Sequence, residues 1–184
     1  NAFTINYLMM KYKIIIILLL TVSLGCKSTV TTTEINNLKE TVLNNNFEVT
    51  LTSATPIAFA NVTGIQNLLP PGSNNANINL INISNYFIVK NDSIKVDIPY
   101  YGEQQIAMAF KSDNGIVFEG IPEKTKNTYI DKKNKYIINY WLKNKNETFR
   151  VTLTLFPNKN SSLSINSSHR TTINYNGYWK PLKN

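Results

Sequence analysis

The sequence predicts a mainly β protein, an antiparallel meander of eight or nine strands that closes as a lipocalin-like barrel or folds as a sandwich. Two observations support this fold class. From Phe47 onward, apolar and polar residues alternate with the period of two that is typical of a half-buried strand. Turn residues interrupt this alternation at intervals of about 8 to 12 residues. One short amphipathic helix is predicted before the first strand.

The predicted helix begins near Glu34 and ends at the three asparagines that follow Leu43. Thr31 lies three residues before Glu34, which is the spacing of a capping box. The apolar positions with helical spacing are Ile35, Leu38, Val42 and Leu43. Because a helix of about eleven residues is marginal by itself, we expect its apolar stripe to pack on the domain.

The strands are predicted where the alternation is clearest. They span Phe47–Leu51, Tyr86–Lys90, Ile94–Ile98, Ile106–Phe110, Ile116–Glu119, Tyr136–Leu142, Phe149–Leu155, Leu163–Ile165 and Ile173–Tyr175. The segment from Pro56 to Asn77 is predicted to be a long loop, because it is rich in proline, glycine and asparagine. A lysine-rich segment after Pro122 separates two of the predicted strands.

Composition excludes several classes of chemistry. The chain has 184 residues and a formal net charge of +8, with one cysteine and one histidine. A single cysteine excludes disulfide frameworks, Cys-based zinc sites and iron–sulfur clusters, and a single histidine excludes multi-histidine metal sites. No serine or carboxylate near His169-Arg170 forms a recognisable nucleophile motif. We therefore predict no cofactor, no metal and no enzyme activity.

The N-terminal segment has the order of a secretory signal. Lys11 and Lys13 precede the apolar run Ile14–Leu20, and the small residue Gly25 comes directly before Cys26. The apolar core of about eleven residues is shorter than the roughly 20 that a membrane-spanning helix needs. A basic start, a short apolar core and a small residue at the cleavage point indicate export.

Cys26 follows this signal in a way that resembles a bacterial lipoprotein signal. The commonest pattern has leucine where this chain has Ser23, but relaxed versions are frequent in Bacteroidota. We predict that Cys26 is the lipid attachment site, since two or three acyl chains anchor a protein stably. The alternative is an exported protein with a free cysteine. The residues after Cys26 include no acidic tag, which favours the periplasmic face of the outer membrane over surface display.

These features predict the organisation of the chain. Residues 1–9 are predicted to be an upstream extension, because Met10 is the natural start for the signal. Residues 10–25 form the signal peptide, and residues 26–33 form a polar tether. Residues 34–184 form a single β-rich domain with its N-terminal helix.

Residues from about Phe47 to Gly177 resemble an uncharacterised family of Bacteroidota envelope lipoproteins. The most distinctive motif is Ile98-Pro99-Tyr100-Tyr101-Gly102, where family members typically read Leu-Pro-Tyr-Phe-Gly. The motif Ile173-Asn174-Tyr175-Asn176-Gly177 follows in order, whereas Lys159 replaces a usual glycine. The resemblance implies a domain of unknown function at the cell envelope and leaves the biochemical role open.

The same Pro-Tyr-Tyr-Gly segment has two interpretations, a binding rim or a structural turn, and the structural turn is favoured. Asp92-Ser93-Ile94 is similar to the tripeptide used for O-glycosylation in exported Bacteroidota proteins. Ser93 is therefore a candidate O-glycosylation site, and the alternative is an ordinary Asn-Asp turn.

Lysines are concentrated in one part of the chain. They are Lys124, Lys126, Lys132, Lys133, Lys135, Lys143 and Lys145. Such a cluster can contact anionic lipid head groups or an acidic envelope polymer. The favoured interpretation is a solvated hairpin whose lysines discourage edge-to-edge strand pairing. Nucleic acid is excluded as a partner, because the protein is predicted to be exported.

Two functions remain. The first is a lipid-anchored, non-catalytic interaction or accessory module that contacts another envelope protein. The alternative is a barrel that binds a small apolar or amphipathic ligand inside a cavity lined by isoleucine and tyrosine. The sequence leaves the oligomeric state open.

Overall fold

The computed structural model describes residues 30–57, 69–74, 76–106 and 115–182, together with Met10 and Tyr12. Cys26, most of the signal segment and most of the strand predicted at Ile106–Phe110 lie outside the described residues. Thr31–Asn184 forms one compact unit. Among the described residues, no helix is long and apolar enough to cross a membrane.

The helix α1 spans Thr32–Leu43, and the predicted capping box is confirmed. The backbone N–H of Thr31 donates to Glu34 Oε2 at 2.8 Å, and the Glu34 N–H donates to Thr31 Oγ1 at 3.3 Å. Leu38 and Val42 are buried as expected, but Leu43 is 76% exposed. Leu43 follows Leu38 by five residues, a rotation of about 140° around a helix with 3.6 residues per turn. It therefore points away from the buried stripe.

The predicted mainly β, antiparallel architecture is confirmed. The strands in the described residues are β1 (Asn46–Pro56), β2 (Ile78–Asn79), β3 (Tyr86–Lys90), β4 (Ser93–Ile98), β5 (Ile116–Gly120), β6 (Lys124–Ile130), β7 (Lys135–Lys143), β8 (Thr148–Leu155), β9 (Asn160–Ser167) and β10 (Ile173–Pro181). A 3-10 turn at Asp131–Lys133 connects β6 to β7. Two of these strands, β2 and β6, are absent from the predicted set.

The strands form one strongly curled antiparallel sheet, a half-barrel. Its order is β5-β4-β3-β1-β10-β9-β8-β7-β6, with β2 paired to the end of β1. Two meanders therefore make up the sheet. The strands β1 and β10, the first and last of those described in the chain, pair with each other and join the two meanders. The two outermost strands of the described sheet, β5 and β6, follow one another directly in the chain. The predicted meander is correct, and its curvature is of the barrel type.

The β1–β10 junction contains a bulge that explains one glycine of the family-like motif. Leu51 is opposite Gly177, but the next pair is Ser53 with Asn176, so β1 has one extra residue. A Cβ on Gly177 would overlap the carbonyl oxygen of Thr50 and lie 2.8 Å from the Leu51 Cα. The backbones approach so closely that only glycine fits at this position.

One hydrophobic core connects both meanders and the helix. Leu38 and Val42 of α1 belong to it, together with the inward residues of nearly every strand. Trp179 and Tyr175 of β10 are its largest fully buried side chains, and the Trp179 Nε1–H donates to the Phe156 carbonyl at 2.7 Å. The strand β10 thus continues beyond the predicted end at Tyr175 because Trp179 extends the inward alternation.

Candidate functional site

The most deeply buried charges of the described residues form an ion pair between two loops. Arg170 lies between β9 and β10, and Glu147 lies in the turn between β7 and β8; each is 5% exposed. Arg170 Nε donates to Glu147 Oε1 at 2.9 Å, and Nη2 donates to Oε2 at 3.2 Å. The Ser167 hydroxyl also donates to Glu147 Oε1. Both carboxylate oxygens are therefore bound in a two-point contact that fixes the loops.

Arg170 also reaches the far end of the sheet. Its Nη1 donates to the Gly115 carbonyl, just before β5, at 3.1 Å. Its guanidinium lies 5.1 Å from the centroid of the Tyr100 ring. One side chain thus connects the β7–β8 turn, the start of β5 and the loop after β4. We call Arg170, Glu147 and Ser167 the arginine clamp.

The Pro-Tyr-Tyr-Gly segment packs against this clamp. The Tyr100 hydroxyl lies 2.8 Å from the Thr171 carbonyl oxygen and 3.0 Å from the Glu103 carbonyl oxygen. A Cβ on Gly102 would overlap the Tyr100 hydroxyl. The Tyr175 hydroxyl donates to the Pro99 carbonyl at 2.9 Å. These contacts favour the structural-turn interpretation of the motif.

Burial controls the ionisation of these tyrosines. It raises the pKa of Tyr100 above its usual value, and it raises the pKa of Tyr175 well above its usual value. Both hydroxyls therefore stay protonated at neutral pH, which keeps them available as hydrogen-bond donors to backbone carbonyls.

Among the described residues, the His169 imidazole is hydrogen-bonded to its neighbour in the chain, Ser168. Its Nδ1 lies 2.7 Å from the Ser168 hydroxyl oxygen, and the same oxygen accepts from the Thr148 N–H at 3.1 Å. The nearby carboxylate, Glu147, is bound by Arg170 and Ser167 instead. This arrangement differs from a nucleophile–histidine–carboxylate relay, in which the carboxylate orients the histidine. In the described part of the chain, no cluster of three or more His, Cys, Asp or Glu side chains could hold a metal ion.

The outward side of β6–β9 is strongly basic. The strand pairing aligns its outward positions from one strand to the next. These positions hold Lys124, Lys126, Thr128, Ile130, Lys135, Ile137, Asn139, Trp141, Lys143, Thr148, Arg150, Thr152, Thr154, Asn160, Ser162, Ser164 and Asn166. None of these outward positions is an Asp or a Glu. We call this surface the basic face.

Trp141 lies between two cations on the basic face. Lys124 of β6 and Arg150 of β8 are its directly opposite neighbours in the sheet. The Lys124 Nζ lies 5.1 Å from the indole centroid, and the Arg150 guanidinium carbon lies 5.9 Å from it. Within the described residues, neither cation has a carboxylate at ion-pair distance. The ion pair on this face, between Lys143 and Glu123 at 3.6 Å, is exposed to solvent.

Open clefts occur among the described residues. One of about 490 Å³ lies between β5 and the β7–β8 turn, and one of about 390 Å³ lies between α1 and the ends of β1 and β10. A third, of about 300 Å³, lies on the basic face beside Trp141 and Arg150. Polar side chains contribute much of the lining of all three.

Of the two site residues predicted from the sequence, the described residues include Ser93 but not Cys26. Ser93 is exposed at the first position of β4, directly after a turn in which Asn91 has a φ of 54°. Its exposure agrees with the requirement for modification, which stays a prediction. Cys26 lies outside the described residues, so its lipidation also stays a prediction.

Sequence reasoning missed the arginine clamp and the pairing around Trp141. Arg170 and Glu147 are 23 residues apart, and no local motif connects them. The one available signal was the rarity of arginine: Arg150 and Arg170 are the only arginines in the chain. One belongs to the clamp and the other to the basic face.

Comparisons with known proteins bear on the fold and the family. Residues 29–179 match a family described as a domain of unknown function, DUF4251. A crystal structure of a DUF4251 family protein from Bacteroides eggerthii DSM 20697 is similar, with a TM-score of 0.54 and 12% sequence identity. The match covers 81% of this chain and 88% of that chain, and at this identity it shows the fold alone. No curated protein matches the chain. Because the family match covers most of the sequence, the chain belongs to the DUF4251 family.

Proposed function

We propose that the protein is a lipid-anchored cell-envelope protein whose β domain is a non-catalytic interaction module. The anchor is the acylated Cys26, and the tether that follows it holds the domain near the periplasmic face of the outer membrane. The signal pattern before Cys26 supports the anchor. The arrangement of the buried polar groups supports the interaction role.

The arginine clamp is the observation that carries the non-catalytic part of this proposal. Its carboxylate is bound on both oxygens by Arg170 and Ser167, and the neighbouring Tyr100 hydroxyl contacts backbone carbonyls. A general base needs an oxygen or nitrogen directed at a substrate proton. The polar groups of the clamp are directed at each other, so they stabilise loops. Surface contacts are then the means by which the domain acts.

The alternative, carriage of a small apolar ligand, needs an interior cavity lined by isoleucine and tyrosine. The inward isoleucines of the described strands, such as Ile98, Ile138 and Ile165, pack in the core and are almost fully buried. The clefts lined by described residues open to solvent and have mixed linings. These observations favour the interaction module.

The anchor is tested by fractionating cells that express the Cys26→Ala variant. We expect the variant to leave the membrane fraction and to lose labelling by a radioactive fatty acid. The matched control, Ser28→Ala, changes the same polar segment but keeps the thiol, and we expect it to stay membrane-bound. Unchanged partitioning and labelling of Cys26→Ala would refute the lipid anchor.

The interaction role is tested in intact envelopes by photocrosslinking. A benzophenone amino acid replaces either Asn166, which is exposed on β9, or Thr50, which is exposed on β1. An interaction module gives a reproducible crosslinked species that depends on which position carries the probe. If neither position gives a species above the background of a secreted control protein, the interaction role is wrong.

A further inference from the structure

We propose that the basic face binds an acidic polysaccharide, with Trp141 supporting a sugar ring, Arg150 binding its carboxylate and the lysines of the face attracting the rest of the polyanion. This inference rests on the proposed interaction role and names the class of partner. It is independent of how the chain is attached to the membrane.

The outward charges of the basic face all have one sign. The basic face carries the cations Lys124, Lys126, Lys135, Lys143 and Arg150. Its outward strand positions hold no carboxylate; the acids beside them are Asp131, in the turn between β6 and β7, and Glu123, which lies 3.6 Å from Lys143. Uncompensated charges of one sign on one surface attract a partner of the opposite sign. The partner is therefore anionic.

The basic face also combines cations with an aromatic ring. A flat indole provides an apolar surface against which the C–H face of a sugar ring can pack. Lys124 and Arg150 lie over that ring, 5.1 and 5.9 Å from its centroid, one on each neighbouring strand. A sugar ring packs on the indole when one of these exposed side chains turns away from the ring to bind the anionic group. The planar guanidinium of Arg150 can bind a carboxylate through two N–H groups at once. A sugar that carries a carboxylate matches both features.

The rest of the basic face is mostly polar and uncharged. The other outward residues are mostly threonine, serine and asparagine, and the two exceptions are Ile130 and Ile137. Hydroxyl and amide groups both donate and accept hydrogen bonds, as sugar hydroxyls do. Insertion into a bilayer needs apolar side chains, and charge contact with lipid head groups makes little use of these hydroxyl and amide groups. The polar character of the face therefore favours a glycan over a lipid bilayer.

The curvature of the sheet supports the same choice. The sheet is strongly curled, so its outward side is convex. A planar bilayer contacts a convex surface only along a narrow strip, which leaves part of the cations out of reach. A flexible polymer can follow the surface from β6 to β9 and neutralise the cations together. The geometry thus selects an extended polyanion.

A cleft on the basic face gives the position of one sugar ring. Its volume is about 300 Å³, which suits a monosaccharide. Its lining includes Trp141, Arg150, Asn166, Thr148, Ser168 and Glu123. Because Glu123 repels a second carboxylate, the acidic group of the sugar must be directed toward Arg150, while Glu123 accepts a hydrogen bond from a sugar hydroxyl.

The experiment measures binding of polygalacturonate, a carboxylated polysaccharide, to the full chain carrying Cys26→Ala. Removing the acyl chains prevents the anchor from contributing to any lipid binding. Affinity electrophoresis and tryptophan fluorescence report the dissociation constant. Neutral dextran, vesicles containing phosphatidylglycerol and single-stranded DNA are the comparison ligands. We expect binding to polygalacturonate only, weakening as salt concentration rises.

Variants assign the binding to the basic face. We expect Trp141→Ala and Arg150→Ala each to weaken polygalacturonate binding about tenfold, as residues at the centre of a contact do. Lys95→Ala, which removes an exposed lysine on the opposite part of the sheet, is the matched control and should bind normally. Arg150→Lys tests geometry, because lysine keeps the charge but lacks the two-point donor. We expect it to restore less than half of the lost affinity.

Several results would overturn the inference. Binding to dextran with equal affinity would show that charge does not select the ligand. Equal binding to DNA and polygalacturonate, unaffected by Trp141→Ala, would reduce the effect to nonspecific charge attraction. Binding to vesicles in place of polygalacturonate would assign the face to a membrane. If the photocrosslinking probe reacts at Thr50 but not at Asn166, the interaction role survives and this partner class fails.

Discussion

The two parts of the sheet's outward surface carry very different charge. The basic face on β6–β9 has cations without outward carboxylates. The rest of the outward surface, on β1, β3, β4, β5 and β10, carries both signs, and we call it the balanced face. Its charged residues are Lys90, Lys95 and Lys180 together with Glu48, Asp97 and Glu119.

The balanced face also pairs its charges. Lys95 lies 3.3 Å from Glu119, and Lys180 lies 3.1 Å from Glu48. A lysine-rich composition alone would distribute lysines over both parts of the surface with the acids among them. The outward strand positions of the basic face hold five cations and no acid, whereas those of the balanced face hold three cations and three acids. Two questions follow: whether the two parts of the sheet stabilise each other, and whether their surfaces differ in electrostatic environment.

The largest expected effect comes from the arginine clamp. It connects the β7–β8 turn, in the part of the sheet that carries the basic face, to the start of β5, in the part that carries the balanced face. Glu147→Ala leaves the buried Arg170 cation without its carboxylate. We expect a loss of about 3–5 kcal/mol in the free energy of unfolding, measured by urea titration. The loss is large because the Arg170 guanidinium is only 5% exposed in the folded state and loses the carboxylate that compensates its charge.

Glu123→Ala is the matched control, since it removes a carboxylate from an exposed pair with Lys143. We expect a change of at most about 1 kcal/mol, because solvent screens an exposed pair. Equal losses for the two variants would show that the clamp does not join the two parts of the sheet.

The second effect comes from the β1–β10 junction, where the two meanders meet. Gly177→Ala adds a Cβ that overlaps the Thr50 carbonyl oxygen, so the backbone must shift. We expect a loss of about 3 kcal/mol in the free energy of unfolding. Asn176→Ala changes the adjacent outward side chain and should alter stability by less than about 0.5 kcal/mol. A tolerated Gly177→Ala would mean that the junction can widen without separating the meanders.

The start of β1 and the start of α1 are the features that the sequence predicted best. The alternation of Phe47, Val49 and Leu51 predicted the start and the buried side of β1 correctly, although β1 continues to Pro56, beyond the predicted end at Leu51. The capping pair of Thr31 and Glu34 placed the start of α1 to within two residues. Both signals are local, because they depend on the backbone period and on hydrogen bonds between residues close in the chain.

The failures have physical reasons too. In β6, Thr125 and Asn127 occupy the inward positions at the edge of the sheet, so no apolar alternation marks the strand. In β2 only Ile78 and Asn79 pair with β1, which is too short for a periodic signal. The contacts of the arginine clamp and of the cations around Trp141 form only when the strands are in their order in the sheet. That order depends on the pairing of β1 with β10, and no local sequence pattern specifies this pairing.

A third, smaller effect concerns α1, which leads into β1 and also contacts the basic part of the sheet. Lys39 of α1 lies 4.7 Å from the centroid of the Tyr129 ring in β6. Thr31→Ala removes the capping side chain, and we expect a loss of about 1 kcal/mol by urea titration. Thr33→Ala, in the exposed first turn, is the control and should have little effect. If Thr31→Ala loosens the helix, hydrogen exchange should rise at Lys39 before it rises in β10.

The smallest effect tests the charge contrast itself through its sign. Lys180→Ala on the balanced face removes an attraction to Glu48 and should lower the free energy of unfolding by a few tenths of a kcal/mol, about 0.3. Lys126→Ala on the basic face removes only repulsion from its neighbours and should raise that free energy by a similar amount, about 0.3 kcal/mol, at low salt. Both shifts should vanish at about 1 M salt, where charges are screened within about 3 Å. The same sign for both variants would contradict the contrast, because opposite signs follow only if one lysine has an acidic partner and the other lies among cations alone.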